Sequence, residues 1–291
     1  MSLIDNFLAK RGGANADNPE GEMAFTDHLE ALRWHLFRSI VAIFVAAIFV
    51  FVNISWVFDN IILGPAKKDF LSYRALCYLA DVFSTPALCL QEIKLEFQNT
   101  QLSGQFLISF SSSIMIGFIV AFPYVFWEFW KFIKPALKET ELKLARGIVF
   151  WSSMLFFIGV LFAYYIIVPF TINFFANYTL SAQFHNIITI SNYYDTLFDV
   201  ILGMGIVFEL PILIYFLTKI GIVTPMFLRD KRRYAILVIV VLSAFISPPD
   251  AFSLFFIAVP LVFLYEVGII ISARIAKKNG MPTKTPKKLD W

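Results

Sequence analysis

Charged residues are scarce in this sequence. Asp, Glu, Lys and Arg make up 15% of the 291 residues and hydrophobic residues 59%, whereas a soluble globular domain has about 25% and about 45–50%, respectively. The stretches 106–127 and 147–190 contain no Asp, Glu, Lys or Arg. Because a helix needs about 20 apolar residues to cross roughly 30 Å of hydrocarbon, this pattern excludes a soluble domain and predicts transmembrane segments.

Alternation of polar and apolar residues, which is typical of transmembrane β-barrels, is also missing. A helix satisfies its own backbone groups within the bilayer, so we predict an all-α membrane protein with six transmembrane helices. Their predicted bounds are Trp34–Val57, Gln105–Phe132, Arg146–Phe175, Leu197–Leu217, Tyr234–Ile246 and Ala251–Ser272. The fifth helix is the shortest of the six, and its length of about 20 Å is less than the hydrocarbon core.

Motifs of catalysis and of phosphate or metal binding are missing as well. The sequence has no Walker A loop, no nucleophile elbow and no HExxH pair. Its three histidines, His28, His35 and His185, give no sign of a metal cluster. We therefore expect a protein that is not an enzyme and that needs no cofactor or metal. The net charge of +3 is too small to indicate a nucleic-acid partner.

Cysteine is rare, and both cysteines fall in one loop. Cys77 and Cys89 lie in the long loop 58–104 between the first two predicted helices. In an oxidising compartment they could form a disulfide that closes the loop. They could equally remain two free thiols, and the sequence leaves both alternatives open.

Basic residues lie at one set of predicted helix ends. Of the 24 Lys and Arg residues, all but four lie before or near the start of the first helix, after the last, or at and between the facing ends of helices two and three or four and five. The exceptions are in the loop 58–104, and long loops weigh little in the positive-inside rule. We therefore predict that both termini are cytoplasmic. We expect 1–24 to be a flexible tail without a cleavable signal peptide, 25–273 the transmembrane domain, and 274–291 a basic tail.

Four prolines lie within the predicted helices. Each removes a backbone donor and favours a kink. Kinked helices of unequal length predict a concave body. The prolines are Pro123, Pro169, Pro211 and Pro260.

Two acidic residues lie within or beside apolar segments. Glu209 is in mid-helix, where a carboxylate is costly unless it is protonated, paired or hydrated, so it is a candidate functional residue. Alternatively, Glu209 satisfies backbone groups that Pro211 leaves free. Glu128, between Trp127 and Trp130, is predicted to lie at the membrane interface.

Further acidic residues lie on the predicted cytoplasmic side. Glu30 precedes the first helix, and Glu139 and Glu141 lie between the second and third. Such carboxylates form local pairs, as Glu30 would with Arg33 at i, i+3. They can instead face each other and bind guanidinium groups, which match carboxylates bidentately. The residues alone leave both interpretations open.

Four motifs, in order along the chain, resemble those of the TatC family of twin-arginine protein export. The resemblance covers about residues 25–275. The motifs are His28–Arg33 (HLEALR), similar to HLxELR; Phe132–Leu137 (FIKPAL) followed by Glu141, similar to FxxPAL…E; Phe208–Pro211 (FELP), similar to FExP; and Ser247–Asp250 (SPPD), similar to TPPD.

The resemblance implies a protein of the bacterial inner membrane that binds signal peptides with consecutive arginines on folded precursors. It also implies single-span partners of the TatA/TatB type, assembly into a homo- or hetero-oligomer, and export that uses the proton-motive force. For the signal peptide it implies an arginine contact at Glu141, supported by Glu30, His28, Arg33, Phe132 and Pro135. It further implies a partner groove at Glu209 and Pro211, and outer-side structural roles for Pro65 and Asp250.

The first motif departs from the family pattern. Ala31 stands where the family has glutamate, and Glu30 occupies the neighbouring variable position. Adjacent side chains on a helix point about 100° apart. We therefore expect Glu141, rather than Glu30, to be the main acidic contact for an arginine.

Two other classes of protein remain open. A proton-coupled secondary transporter would use Glu209 as a relay, although the sequence shows no repeated pattern of broken helices. A passive membrane assembly scaffold would have the same concave body without a binding role for Glu141. Neither class predicts the four motifs together.

Overall fold

The fold is known from a computed structural model, which describes residues 25–85, 89, 97–134, 147–181, 183, 186–247 and 251–278. The side chains of 25–29 and 251–252 lie outside this description. The tail 1–24, Pro135, Glu141, Asp250 and the side chain of His28 are therefore outside the described part of the chain, and the predictions for them stay predictions.

The described chain is almost entirely helical. The helices are α1 Phe25–Val52, α2 Ile54–Val57, a π-helix Phe58–Ile62, a 3-10 helix Gly64–Ala66, α3 Leu71–Val82, α4 Gly104–Ile133, α5 Ile148–Phe162, a π-helix Ala163–Ile167, α6 Val168–Asn177, α7 Ile190–Val207, α8 Leu210–Lys219, α9 Pro225–Asp230, α10 Arg232–Ile246 and α11 Ala251–Lys278. Two short strands, β1 Phe97–Gln98 and β2 Ile188–Thr189, pair in parallel.

Within the described residues, five helices are long and apolar enough to cross a membrane. They are Glu30–Val52, Gly104–Ile133, Ile148–Asn177, Ile190–Lys219 and Ser253–Lys278. The prediction of a mostly helical membrane protein is therefore confirmed. The predicted fifth transmembrane helix is α10, whose 15 residues span only about 22 Å. The count of six spans and the side on which the termini lie stay predictions.

Several predicted helix ends were wrong where helices extend beyond the apolar segment. The first helix begins at Phe25 rather than Trp34, and it ends at Val52, before a turn at Asn53. The fourth begins at Ile190 rather than Leu197, with the Thr189 hydroxyl accepting the N–H of Asn192 at 3.3 Å. The last continues beyond Ser272, into the predicted basic tail. Hydropathy marks the hydrocarbon core, and a helix can continue past it with polar residues.

Two of the four prolines coincide with interruptions of a helix. A π-helix directly precedes Val168 and Pro169, and the α-helix is broken at Phe208 and Glu209, just before Pro211. Proline cannot donate to the carbonyl four residues earlier, so the hydrogen-bond ladder changes at these points. The other two prolines lie inside uninterrupted helices. The concave shape stays a prediction.

Close helix packing forms the core of the body. A Cβ atom on Gly159 of α5 would lie 2.7 Å from the Met204 carbonyl oxygen of α7, and one on Gly117 of α4 would lie 2.8 Å from the Ala47 nitrogen of α1. Small residues allow such approach between membrane helices, where dispersion contacts replace the hydrophobic effect. The central element is α7, and Met204 in it is fully buried.

One end of the body is built from the segment between α1 and α4. The buried Tyr73 hydroxyl donates to the carbonyl of Pro65 at 2.9 Å, and burial raises the pKa of this hydroxyl. Pro65 is itself buried in the 3-10 helix. Cys77 in the middle of α3 is joined to Cys89 by a disulfide. Of the two alternatives left open by the sequence, the structure contains the bridge.

Candidate functional site

Basic residues gather at the other end of the body, which we call the basic end. Side-chain contacts join pairs of helices here. Trp130 near the end of α4 lies beside Phe216 near the end of α8, at 6.0 Å between ring centroids. Arg232 Nε at the start of α10 lies 2.8 Å from Oε1 of Glu266 in α11. The described basic residues there are Arg33, Arg38, Lys131, Lys134, Lys219, Arg229, Lys231, Arg232, Arg233, Arg274, Lys277 and Lys278.

A buried carboxylate joins α1 to α4 at the basic end. Glu128 is only 1% exposed. His35 Nδ1 donates to its Oε2 at 2.6 Å, Lys131 Nζ donates to its Oε1 at 3.1 Å, and Arg38 Nη1 lies 3.9 Å from Oε2. A carboxylate removed from water requires such charge and hydrogen-bond partners. We call these four side chains the Glu128 cluster.

Helical spacing places the cluster beside a predicted site residue. Glu128, Lys131 and Phe132 lie at i, i+3 and i+4 on α4 and so share one face. The half-buried ring of Phe132 is 6.4 Å from the ring of His35, edge to face. Lys131 Nζ also lies 3.4 Å from the centroid of the Trp127 ring, a cation–π contact.

Sequence reasoning missed this cluster. The prediction for Glu128 concerned only its depth, at the membrane interface, and did not include its burial between two helices. His35 was considered only as a metal ligand. The available signal was that both residues lie at predicted basic ends of their helices. They are 93 residues apart in the sequence, which does not indicate which faces of the two helices meet.

The structure places the remaining predicted signal-peptide residues as follows. Glu30 and Arg33 are exposed on α1, and no ion pair joins them within the described part of the chain. Because α1 is helical from Phe25, Glu30 points about 100° away from the position of Ala31. Glu30 therefore does not take the place of the family's motif glutamate.

A second carboxylate lies between helices in mid-body. Glu209 is half-buried at the break between α7 and α8, and its Oε2 accepts the hydroxyl of Ser152 on α5 at 2.7 Å. Its Oε1 is buried and has no hydrogen-bond partner within the described residues. The described contact of the side chain is thus with Ser152, not with the backbone groups that Pro211 leaves free.

Glu209 opens onto an apolar cavity. The cavity has a volume of about 370 Å³. It lies between the end of α4 and the helices α7 and α8, and Glu209 is the charged residue among its described lining. The other lining residues are Phe126, Phe129, Trp130, Ile133, Ile148, Ile206, Val207, Leu210, Ile212, Leu213, Phe216 and Leu242.

Both sites offer polar groups that can bind a partner. In the described ranges, no group of three His, Cys, Asp or Glu side chains could hold a metal ion. The Glu128 cluster offers charged groups at a helix end. Glu209 offers a carboxylate at an apolar cavity. Its oxygen Oε1, which has no partner among the described residues, favours a ligand that brings a hydrogen-bond donor.

Comparisons with a family model and with known proteins match the same family. The family model of the Sec-independent protein translocase protein TatC matches residues 27–260. A TatC from Blattabacterium sp. subsp. Periplaneta americana (strain BPLAN) is 43% identical over 264 residues, covering 90% of this chain and 99% of that protein. A TatC from Campylobacter jejuni subsp. jejuni is 34% identical over 206 residues, covering 70% and 83%.

Solved structures agree with the sequence relatives. A crystal structure described as the twin-arginine translocase receptor TatC has a TM-score of 0.64 at 28% identity and covers 86% of this chain and 99% of its own. A second, of the same receptor in DDM, has a TM-score of 0.68 and covers 84% and 99%. The chain is therefore a member of the TatC family of Sec-independent protein translocases: a multi-pass inner-membrane protein and a translocase component rather than a classical enzyme.

Proposed function

We propose that this chain is the receptor subunit of a twin-arginine translocase, which binds twin-arginine signal peptides of folded precursors on the cytoplasmic face. The contact between His35 and Glu128 at 2.6 Å carries the proposal. His35 follows the motif His28–Arg33 by two positions, and Glu128 precedes Phe132, which opens the second motif, by four. This contact holds the two motif-bearing segments together at the basic end.

The basic end is the cytoplasmic side in this proposal. Lys and Arg residues of short loops stay on the cytoplasmic side of inner-membrane proteins, and most of the chain's basic residues are at this end. The termini are then cytoplasmic, and the segment with the Cys77–Cys89 disulfide faces the oxidising outer side.

Arginine recognition is assigned to Glu141, with Pro135, His28 and Arg33 around it. A guanidinium group matches a carboxylate bidentately, so an acidic side chain distinguishes arginine from lysine by geometry. Phe132 supplies an aromatic wall that leads toward this segment. Glu30 is exposed on α1 and adds negative charge at the rim of the site.

Partner recruitment is assigned to the cavity beside Glu209. A single-span helix of the TatA/TatB type that carries a polar side chain in its apolar segment would donate to the free oxygen Oε1 and cover the apolar lining. Interhelical hydrogen bonds of this kind stabilise association in lipid. Recruited partners then move the folded precursor with the proton-motive force.

Site-specific photocrosslinking in membranes tests the receptor assignment. Probes at Phe132 and Glu141 are expected to capture a twin-arginine precursor and to lose most of it when the pair is changed to lysine. A probe at Tyr78, exposed at the opposite end, is the control and should capture neither. Equal capture of both precursors at Phe132 and Glu141 would contradict the assignment.

A probe at Leu213, which lines the cavity, tests partner recruitment separately. Glu209→Gln is expected to reduce capture of the single-span partner there while leaving precursor capture at Phe132 unchanged. A proton-coupled transporter would show the reverse dependence, with Glu209→Gln abolishing proton-linked uptake of a small substrate and leaving the partner crosslink intact.

A further inference from the structure

A long apolar groove runs along the outside of α1 and α4, apart from the cavity at Glu209, and meets the Glu128 cluster at Arg38. Its volume is about 910 Å³. Its walls are bulky and exposed, with Phe37 and Phe49 on one side, and its floor is made of small residues, Ala42, Ala46 and Ala121. The floor follows from the close packing of these helices, since they approach most tightly where Gly117 meets Ala47.

Among the described residues that line the groove, Arg38 is the one that carries a charge. Its side chain is 54% exposed and lies at the basic end of the groove. We propose that this groove is a binding site for an anionic phospholipid, with the phosphate of the headgroup on Arg38 and the acyl chains along the floor.

The groove suits flexible acyl chains because its described lining is apolar apart from Arg38 and open on the outer face of α1, where Val45 is 63% and Phe49 74% exposed.

The length of the groove also suits a lipid of one leaflet. From Arg38 to Val50 the rise along α1 is about 18 Å, which is slightly more than half of a hydrocarbon core of roughly 30 Å. The groove then continues to Trp56 and Ile61. A lipid whose phosphate is on Arg38 therefore fills the part of the groove that belongs to its own leaflet.

Charge at the mouth of the groove favours an anionic headgroup. Within the part of the chain that the structure describes, the carboxylate paired with Arg38 is that of Glu128, at 3.9 Å. It is buried and already engaged by His35 at 2.6 Å and Lys131 at 3.1 Å. Arg38 and Lys131 thus provide two positive charges against the one negative charge of Glu128. The exposed rings of Trp34 and Trp127 place this level of the helices at the headgroup region, where indole rings are enriched.

The test uses the purified full chain in nanodiscs of phosphatidylcholine with a minor fraction of phosphatidylglycerol. Native mass spectrometry counts the phosphatidylglycerol that stays bound. Arg38→Gln is expected to lower its affinity about fivefold, the effect of one basic residue near a membrane surface. Arg233→Gln, a substitution of an exposed basic residue at the same end but outside the groove, is the matched control and should leave the affinity unchanged.

A second variant separates the groove from the charge. Ala46→Leu fills the floor, so it is expected to displace phosphatidylglycerol and phosphatidylcholine alike, and thermal unfolding checks that both variants are folded. If Arg38→Gln and Arg233→Gln lower the affinity for phosphatidylglycerol equally, the lipid responds only to the net charge of the basic end. That result would overturn the proposed site. A photoreactive probe at Ala46 that captures a single-span protein instead of lipid in native membranes would overturn it as well. Neither readout requires a signal peptide, so failure here leaves the receptor proposal untouched.

Discussion

The two ends of the body share hydroxyl-to-carbonyl bonds, such as Tyr265 to Leu228 at the basic end, but differ in the contacts that accompany them. At the end opposite the basic residues, uncharged hydroxyls donate to backbone carbonyls and a disulfide closes the segment after α3. At the basic end, charged side chains pair with each other. The first set comprises Tyr73 to Pro65, Tyr164 to Ile61, Tyr193 to Ile62 and the bridge Cys77–Cys89; the second comprises Glu128 with His35 and Lys131, and Arg232 with Glu266.

This difference suits the two ends to different tasks. Hydroxyl-to-carbonyl bonds and a disulfide contain no group that a charged ligand can displace, so they fix the backbone. Ion pairs respond to salt and to competing charges, and a signal peptide with two arginines brings such charges. We therefore expect the basic end to adjust on binding and the opposite end to act as a rigid frame.

The largest effect should come from removing the disulfide. The double variant Cys77→Ser, Cys89→Ser removes a bridge between residues 12 positions apart. The bridge restricts the unfolded chain, so its loss should lower the free energy of unfolding by about 3 kcal/mol. Unfolding by sodium dodecyl sulfate, followed by helical circular dichroism, measures this change. Reduction of the wild-type protein with dithiothreitol should have the same effect and should not shift the double variant. A bridge that is absent in the cell would appear as free thiols in an alkylation assay.

A substitution in the Glu128 cluster should come next. His35→Leu leaves a carboxylate that is 1% exposed without its 2.6 Å partner, and loss of a hydrogen bond to a buried charged group costs about 2 kcal/mol. The double variant His35→Leu, Glu128→Leu removes the charge as well and should recover most of the stability. If both variants are equally unstable in the unfolding titration, packing of the histidine ring, rather than its bond to Glu128, holds α1 to α4.

A single hydroxyl at the rigid end should matter less. Tyr193→Phe removes a buried donor 2.6 Å from the carbonyl oxygen of Ile62, and the expected loss is about 1 kcal/mol. Tyr178→Phe, a substitution of an exposed tyrosine, is the matched control and should change nothing. A null result for Tyr193→Phe would mean that water replaces the hydroxyl and that this end is less rigid than the contacts suggest.

The sequence predicts the parts of the fold that depend on hydrophobicity, because the bilayer imposes that pattern directly. The helix Gly104–Ile133 was predicted to within one residue at each end, since a charge-free stretch marks it. The start of α1 was missed because charged residues interrupt the apolar pattern in 25–33, at Asp27, Glu30 and Arg33. The length of α10, too short for an ordinary span, was visible in the sequence and is present in the structure.

Partners across helices could not be predicted from the sequence. Glu209 was a candidate from its apolar neighbours alone, but its bond to Ser152 joins residues 57 positions apart on different helices. The pair of His35 and Glu128 spans 93 positions. Such contacts depend on how the helices rotate against each other, and small residues such as Gly117 and Gly159 set that rotation.

The smallest effect should come from the exposed ion pair at the basic end. Arg232 and Glu266 are 47% and 39% exposed and lie 2.8 Å apart. Water and salt screen such a pair, so Arg232→Gln should cost no more than about 0.5 kcal/mol. The same substitution should matter even less at 0.5 M salt, whereas the loss in Tyr193→Phe should not depend on salt. Parallel titrations of the two variants at low and high salt would show this contrast, and equal salt dependence at the two ends would remove the distinction between an adjustable end and a rigid one.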